Sequence, residues 1–147
     1  MTPDKLFIGG TWRDPAAHDP VVSPWDGRVA FQAPRASAND VDDAIAAAAK
    51  AAPVMAKLAG FERRELLRRI AEGIAARRED LTRSIVAESG KPVTATRAEV
   101  DRAVVTFTLG SEEATRVEGE ALDLAIEPRS RGWKAWVSRV PVGTIAA

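Results

Sequence analysis

The stretch Glu88-Ser89-Gly90-Lys91-Pro92 divides the helical middle of this 147-residue chain into two parts. Gly90 can adopt the left-handed conformation with which many helices end. Pro92 cannot continue a helix, because its ring fixes φ and its nitrogen carries no hydrogen to donate. The sequence therefore predicts that one helix ends at this stretch and that another begins just beyond it.

The residues before this break have helical periodicity from Phe61 onward. A second apolar stripe, formed by Leu81, Ile85 and Val86, leads up to Ser89. Between the apolar positions, arginines interleave with glutamates, and such a face could form an anion site. The matched carboxylates favour a solvated, salt-bridged face instead. The first apolar stripe consists of Phe61, Leu66, Leu67, Ile70 and Ile74.

A further helix is predicted after the break, from about Thr94 to Glu118, with Gly119 at its end. Arg97 and Asp101 are spaced as an i,i+4 ion pair on this helix, worth only about 0.3 kcal/mol. Its predicted buried stripe consists of Val100, Ala103, Val104, Phe107 and Val117.

An earlier helix is predicted to begin at Ser37, with Asp40 in the capping-box position. Pro53 and Gly60 bracket its predicted end. Its apolar face is narrow and rich in alanine, which indicates the close approach of a neighbouring element. That face consists of Val41, Ala44, Ile45, Ala48 and Ala52.

The amino-terminal third is predicted to form hairpins. Residues 6–8 and 11–13 flank Gly9-Gly10, and two glycines accept the positive φ angles of a tight turn. Residues 21–23 and 28–33 flank Pro24-Trp25-Asp26-Gly27, which has the composition of a second turn.

The carboxy-terminal part also has the pattern of strands. Large side chains alternate over residues 133–141, which predicts a β-strand. Residues 142–147 are predicted to be a buried strand that is cut off in mid-course, and domains seldom end inside one. From the residues alone the fold class is therefore α/β, helical in the middle and strand-forming at both ends, in a chain expected to be incomplete.

Composition excludes several classes of function. Lys plus Arg and Asp plus Glu both number 21, so the net charge is zero and nucleic acid is not an expected partner. No apolar run could span a bilayer and no signal-peptide pattern opens the chain, so we expect a cytoplasmic protein with no membrane partner. There is no cysteine. The only histidine, His18, lies in a Pro-rich stretch that is predicted to be a solvated loop.

Sequence motifs for chemistry are also absent. The chain contains no GxGxxG, no phosphate-binding loop, no HExxH and no EF-hand loop. Nor does it contain a GxSxG that would present a nucleophilic serine. The residues alone therefore assign no catalytic and no cofactor-binding residue.

Several segments, taken in order, resemble the aldehyde dehydrogenase superfamily. No single segment is specific, but together they span essentially the whole chain with their order and spacing kept. They are Phe7–Trp12, Ser23–Gly27, Val41–Ala48, Arg64–Ile74, Glu88–Pro92, Glu99-Val100, Glu118–Glu120 and Pro141–Gly143.

The resemblance implies a homo-oligomeric enzyme that oxidises an aldehyde to a carboxylic acid with NAD or NADP. Residues 1–126 would begin a Rossmann-type cofactor domain, residues 127–141 would begin the oligomerisation arm, and residues 142–147 would form the first buried strand of the Rossmann core. The family's catalytic Asn and Cys, its general-base Glu and its cofactor-binding Lys would follow Ala147. The chain alone is therefore expected to be inactive.

The resemblance also implies two binding sites. Arg102 would lie on the helix that lines the mouth of the substrate tunnel, where a guanidinium suits a phosphate, phosphonate or carboxylate. Arg102 and the turn Glu118-Gly119-Glu120 are most similar to the branch that acts on anionic aldehydes. The carbonyl of Val22 and the carboxylate of Glu88 would match a monovalent-cation site. The alternatives are a surface arginine and a solvated carboxylate.

A different class of function also fits the sequence. Residues 61–119 would then be the helical bundle of a non-catalytic interaction module. A reading frame that continues past Ala147 into a cysteine-containing motif would favour the enzyme.

Overall fold

The computed structural model describes residues 4–146, which form antiparallel hairpins at both ends and helices in the middle. In chain order the elements are β1 (Leu6–Ile8), β2 (Thr11–Arg13), β3 (Ala17–Val22), β4 (Val29–Arg35), α1 (Ala38–Ala56), α2 (Gly60–Ala76), α3 (Arg78–Ser89), α4 (Val93–Glu113), β5 (Glu120–Asp123), a 3-10 turn (Pro128–Ser130) and β6 (Lys134–Val137).

Both predicted amino-terminal hairpins are confirmed. Strands β1 and β2 pair around Gly9 and Gly10, whose φ angles of 58° and 84° suit the tight turn. Strands β3 and β4 pair around the second predicted turn, which is closed by a 2.8 Å hydrogen bond from the Ser23 N–H to the carbonyl of Arg28.

The prediction of a loop at His18 was wrong, because β3 begins at Ala17 and includes it. The prolines of this segment suggested a loop, but Pro20 is tolerated in a two-stranded sheet, where every strand has an unpaired edge. The side chain of His18 is exposed, and its Nε2 lies 2.9 Å from the carbonyl oxygen of Asp4.

The predicted cap of α1 is confirmed. The Asp40 N–H donates to Ser37 Oγ at 3.2 Å, and the Ser37 N–H donates to Asp40 Oδ2 at 2.8 Å. Two hydrogen bonds hold the pKa of Asp40 below its usual value. The one from the Ser37 side chain has the larger effect, and the one from the Ser37 backbone N–H has the smaller. Pro53 lies within the last turns of α1, which ends at Ala56, between Pro53 and Gly60 as predicted.

The helix boundaries on both sides of the central break agree with the sequence, since α3 ends at Ser89 and α4 begins at Val93, next to the predicted Thr94. The far end of α4 does not agree. Gly90 ends α3 with φ 66°, and its N–H donates to the carbonyl of Val86 at 2.9 Å, as predicted. Helix α4 ends at Glu113 rather than at Glu118. The chain leaves the helix there because Gly119 must run against β6, where a Cβ would overlap the carbonyl oxygen of Val137.

The core lies between α2 and α4, where the backbones approach closely across small residues. Ala71 of α2 and Val100 of α4 are buried, as are Thr96 and Ser111 of α4. Ser111 Oγ donates to the carbonyl of Arg64 at 3.0 Å and so ties the two helices together. The predicted stripe of α4 is thus centred correctly on Val100, whereas Val117 is exposed.

Much of the apolar surface remains uncovered. The accessible area is 11313 Å², whereas a compact monomer of 15.7 kDa would expose about 7,300 Å². A residue beside the predicted alanine-rich face of α1 does meet a neighbour, since a Cβ at Gly9 would lie 3.7 Å from Ala47 Cβ. However, Val41 and Ile45 of the same helix are 49% and 59% exposed.

The carboxy-terminal predictions are only partly correct. Strand β6 lies inside the predicted strand but is shorter, and its partner β5 was not predicted. The predicted domain boundary at 126/127 falls in the turn of this hairpin. The prediction of a buried strand at residues 142–147 is wrong for the described residues 142–146. No strand forms there, and Val142 is 90% exposed. A buried strand needs neighbours on its edges and faces, and none of the described strands lies alongside this segment.

No helix within residues 4–146 is long and apolar enough to cross a membrane.

We predict that Gly90→Ala destabilises the chain by roughly 1–3 kcal/mol, because the left-handed conformation disfavours a side chain. The new Cβ would also lie 2.8 Å from Pro24 Cγ. Thermal unfolding followed by circular dichroism measures the change, and equal stability of Gly90→Ala and the parent chain would contradict the prediction.

Gly73→Ala is the matched control. Gly73 lies within α2, and apart from the backbone of that helix no atom lies within 4 Å of the position that a new methyl group would take. This change should stabilise the chain by about 0.5–1 kcal/mol, because alanine loses less conformational freedom than glycine when a helix forms.

Candidate functional site

Arg102 lies in the middle of α4 with its side chain exposed. Its carbonyl accepts a hydrogen bond from Thr106 Oγ1 at 2.9 Å. Its guanidinium makes no hydrogen bond or ion pair with any other residue from 4 to 146. The planar donors of this arginine are thus available to an anion.

A second cation, Lys91, lies just before α4 and contacts Glu99, a residue three positions before Arg102 on that helix. The Lys91 ammonium forms an ion pair with Glu99 Oε2, and both side chains are about two-fifths exposed. The hydrogen bond from Lys91 is the main reason why the pKa of Glu99 lies below its usual value, and Arg102 adds a smaller effect. The sequence pattern does not indicate this contact, because seven residues and a helix start separate Lys91 from Glu99.

Two further ion pairs join α3 to α4. Arg78 holds Asp101 through two hydrogen bonds of 2.6 Å, and Arg97 Nη2 lies 3.0 Å from Glu79 Oε2. The predicted pairing of Arg97 with Asp101 along α4 was therefore wrong. Each partner instead reaches across to α3, where an arginine and a carboxylate meet as planar groups.

The residues of the predicted cation site lie on two segments that meet. Val22 is the last residue of β3, and Glu88 is exposed in the last turn of α3. The segments touch where Pro24 lies against Gly90. Among the described residues no group of three or more His, Cys, Asp or Glu side chains could hold a metal ion. Glu88 would therefore need carbonyl or water ligands to complete a site.

The described surface also contains a groove of about 700 Å³ between the β1–β2 hairpin and α1. Its walls are apolar and its one charged side chain is Lys50. Apart from Lys50, such a wall offers no polar side chains that would orient a small substrate. It suits packing against another part of a protein better than chemistry.

Sequence comparison relates nearly the whole chain to known proteins. The sequence model of the aldehyde dehydrogenase family matches residues 12–147. The 3-sulfolactaldehyde dehydrogenase of Priestia aryabhattai is 31% identical over 142 residues, which are 97% of this chain and 29% of that protein. The chain thus spans less than a third of the length of this relative.

Solved structures agree. Aldehyde dehydrogenase 21 from Physcomitrella patens, in complex with its reaction product succinate, superimposes with a TM-score of 0.85. It is 33% identical, over 90% of this chain and 28% of that one. Betaine aldehyde dehydrogenase from Staphylococcus aureus, in complex with NAD+, has a TM-score of 0.79 and 25% identity, over 84% of this chain and 26% of that one. The α/β fold is the one that these enzymes share.

The ion pairs between α3 and α4 predict an acid-sensitive contact. Hydrogen bonds from Arg78 and Arg97 lower the pKa of Asp101 and of Glu79, respectively. A carboxylate with a lowered pKa contributes stability above its ordinary pKa and loses that contribution as the pH falls through the lowered value. We therefore predict that Asp101→Asn lowers the melting temperature at pH 6 and reduces its further fall between pH 6 and pH 3.

Asp42→Asn provides the control, because Asp42 is exposed on α1 and has no ion-pair partner among the described residues. Melting curves of the parent chain and both variants across this range measure the effect. A pH dependence that is the same in the parent and in Asp101→Asn would contradict the assignment.

Proposed function

The chain belongs to the aldehyde dehydrogenase family, and we propose that it is the amino-terminal segment of an enzyme that oxidises an aldehyde to a carboxylic acid with NAD+ or NADP+. The main support for this proposal is the match of the family to residues 12–147. Because relatives are more than three times as long, the activity belongs to the longer enzyme, of which this chain supplies one part.

The reaction needs a nucleophile that this chain does not contain. A thiolate must attack the aldehyde carbonyl before a hydride can leave for the nicotinamide, and the chain has no cysteine. Nor do its residues fit the cofactor. Within residues 4–146 the strand that leads directly into a helix is β4, and Ala36 and Ser37 connect it to α1 without a glycine-rich turn for a pyrophosphate.

We therefore predict that the purified 147-residue chain oxidises no aldehyde with NAD+ or NADP+. Absorbance of the reduced nicotinamide, followed with a panel of anionic and neutral aldehydes, is the measurement. A catalytically competent relative assayed in the same buffer is the control. Turnover above the rate of a mock purification would show that the nucleophile lies within these residues.

We further propose that the substrate carries an anionic group, which Arg102 binds. The exposed guanidinium supports this, because no described residue neutralises it. Two relatives also support it, since one acts on 3-sulfolactaldehyde and another binds succinate as its product. Family membership alone would not support an anionic substrate, because a third relative is a betaine aldehyde dehydrogenase.

This proposal predicts the effect of Arg102→Leu in a full-length enzyme that contains the chain. Charge-assisted hydrogen bonds contribute roughly 1.5–3 kcal/mol, so kcat/KM for an aldehyde with a sulfonate, phosphate or carboxylate should fall by about one to two orders of magnitude. For a neutral aldehyde of similar size it should change little. The measurement is the ratio of the two kcat/KM values.

Arg69→Leu is the matched control, because Arg69 is also an exposed helical arginine without a described ion-pair partner. It should leave the ratio as it is in the parent enzyme. If Arg102→Leu also left it unchanged, Arg102 would be a surface residue and the anionic substrate would lose its main support.

We propose two further properties of the longer enzyme. The uncovered apolar surface supports homo-oligomerisation, since exposed apolar area of this size is typical of surfaces that another protein covers. The contact between Pro24 and Gly90 supports a monovalent-cation site that includes the Val22 carbonyl and Glu88.

The uncovered apolar surface also fits the second candidate function, a non-catalytic interaction module. That function predicts that substitution of Arg102 has no effect on the use of any substrate.

A further inference from the structure

Four carboxylates in this chain are followed three residues later by an arginine. On a helix this spacing places the two side chains next to each other. In three cases the neighbours form an ion pair, and in the fourth, Glu99 with Arg102, they do not. The three that pair are Glu65 with Arg68, Asp80 with Arg83, and Glu113 with Arg116, the last of which lies just beyond the end of α4.

Glu99 differs from the other three carboxylates in its partner, because it forms its ion pair with Lys91. Lys91 lies in the short connection between α3 and α4, and this connection holds its backbone in place. Gly90 turns the chain with φ 66°, and the Lys91 N–H donates to Ser89 Oγ at 3.3 Å. The ammonium thus pairs with Glu99 from a connection whose backbone is held, whereas Arg102 forms no ion pair with this carboxylate.

We propose that Lys91 is a positioning residue that keeps Arg102 available to the anionic group of the substrate by holding Glu99. This inference rests on the proposed function of Arg102. A carboxylate that pairs with Arg102 would compete with the substrate anion for the same donors. Lys91 removes that competitor, because Glu99 keeps its charge and has the Lys91 ammonium as its ion-pair partner. It does not itself need to contact the substrate.

The first test uses the 147-residue chain and requires no activity. The Nε–H resonance of Arg102, assigned by comparison with Arg102→Lys, is recorded by NMR in three proteins: the parent, Lys91→Met and the double variant Lys91→Met with Glu99→Gln. We expect the resonance to shift and its exchange with water to slow in Lys91→Met, because Glu99 then pairs with Arg102. In the double variant it should return to its parental position.

The second test uses the full-length enzyme. Lys91→Met should raise KM for an anionic aldehyde about two- to fivefold, the size expected for one competing exposed ion pair. It should leave kcat and the KM of a matched neutral aldehyde unchanged, and Glu99→Gln in the same protein should restore the parental KM. Lys5→Met is the control, because Lys5 also forms an exposed ion pair, with Asp14, outside the helices.

Two results would overturn the inference. An unshifted Arg102 resonance in Lys91→Met would show that Glu99 does not compete for Arg102. A raised KM that Glu99→Gln fails to restore would show that Lys91 binds the substrate itself or supports the fold. Failure of the proposed function can be distinguished from both results. In that case Arg102→Leu would leave the ratio of anionic to neutral kcat/KM unchanged, whatever the effect of Lys91→Met.

Discussion

The close packing of α2 against α4 determines where the charged residues of the helices lie. Ala71 of α2 and Val100 of α4 are both buried, and the hydrogen bond from Ser111 to the carbonyl of Arg64 joins the two helices. Once α4 is held by one face, its other faces are free for charged residues. Arg97 and Asp101 then tie α3 to α4, while Arg102 is exposed. The position of the candidate substrate arginine is therefore a consequence of core packing.

The same packing leaves much of the apolar surface of the chain exposed to solvent. Only three hydrophobic residues among the described ones are buried, and both α1 and residues 142–146 expose large apolar groups to water. A chain that buried no more than this would have little hydrophobic stabilisation with which to offset its conformational entropy. Membership of a family whose relatives are more than three times as long gives this surface a physical explanation. We infer that the remainder of the enzyme covers it.

The features that could be predicted correctly from the sequence are those that depend on neighbouring residues. The capping box of Ser37, the turn at Gly9-Gly10 and the left-handed Gly90 each follow from local backbone chemistry. The features that were missed depend on distant partners. Strand β5 exists because β6 pairs with it, and Asp101 leaves Arg97 because Arg78 approaches from α3. The position of Arg102 on α4 could be predicted, but its freedom from Glu99 could not, since Lys91 lies outside the helix.

If this chain supplies the anion-binding arginine of an aldehyde-oxidising enzyme, a crystal structure of the full-length enzyme with a bound sulfonate or carboxylate product will show the contact. We expect oxygens of the anion to lie about 2.7–3.0 Å from the guanidinium nitrogens of Arg102, as in other charge-assisted pairs. We also expect Glu99 to remain paired with Lys91. A product whose anionic group is bound elsewhere, with Arg102 in solvent or paired with Glu99, would contradict this role for Arg102.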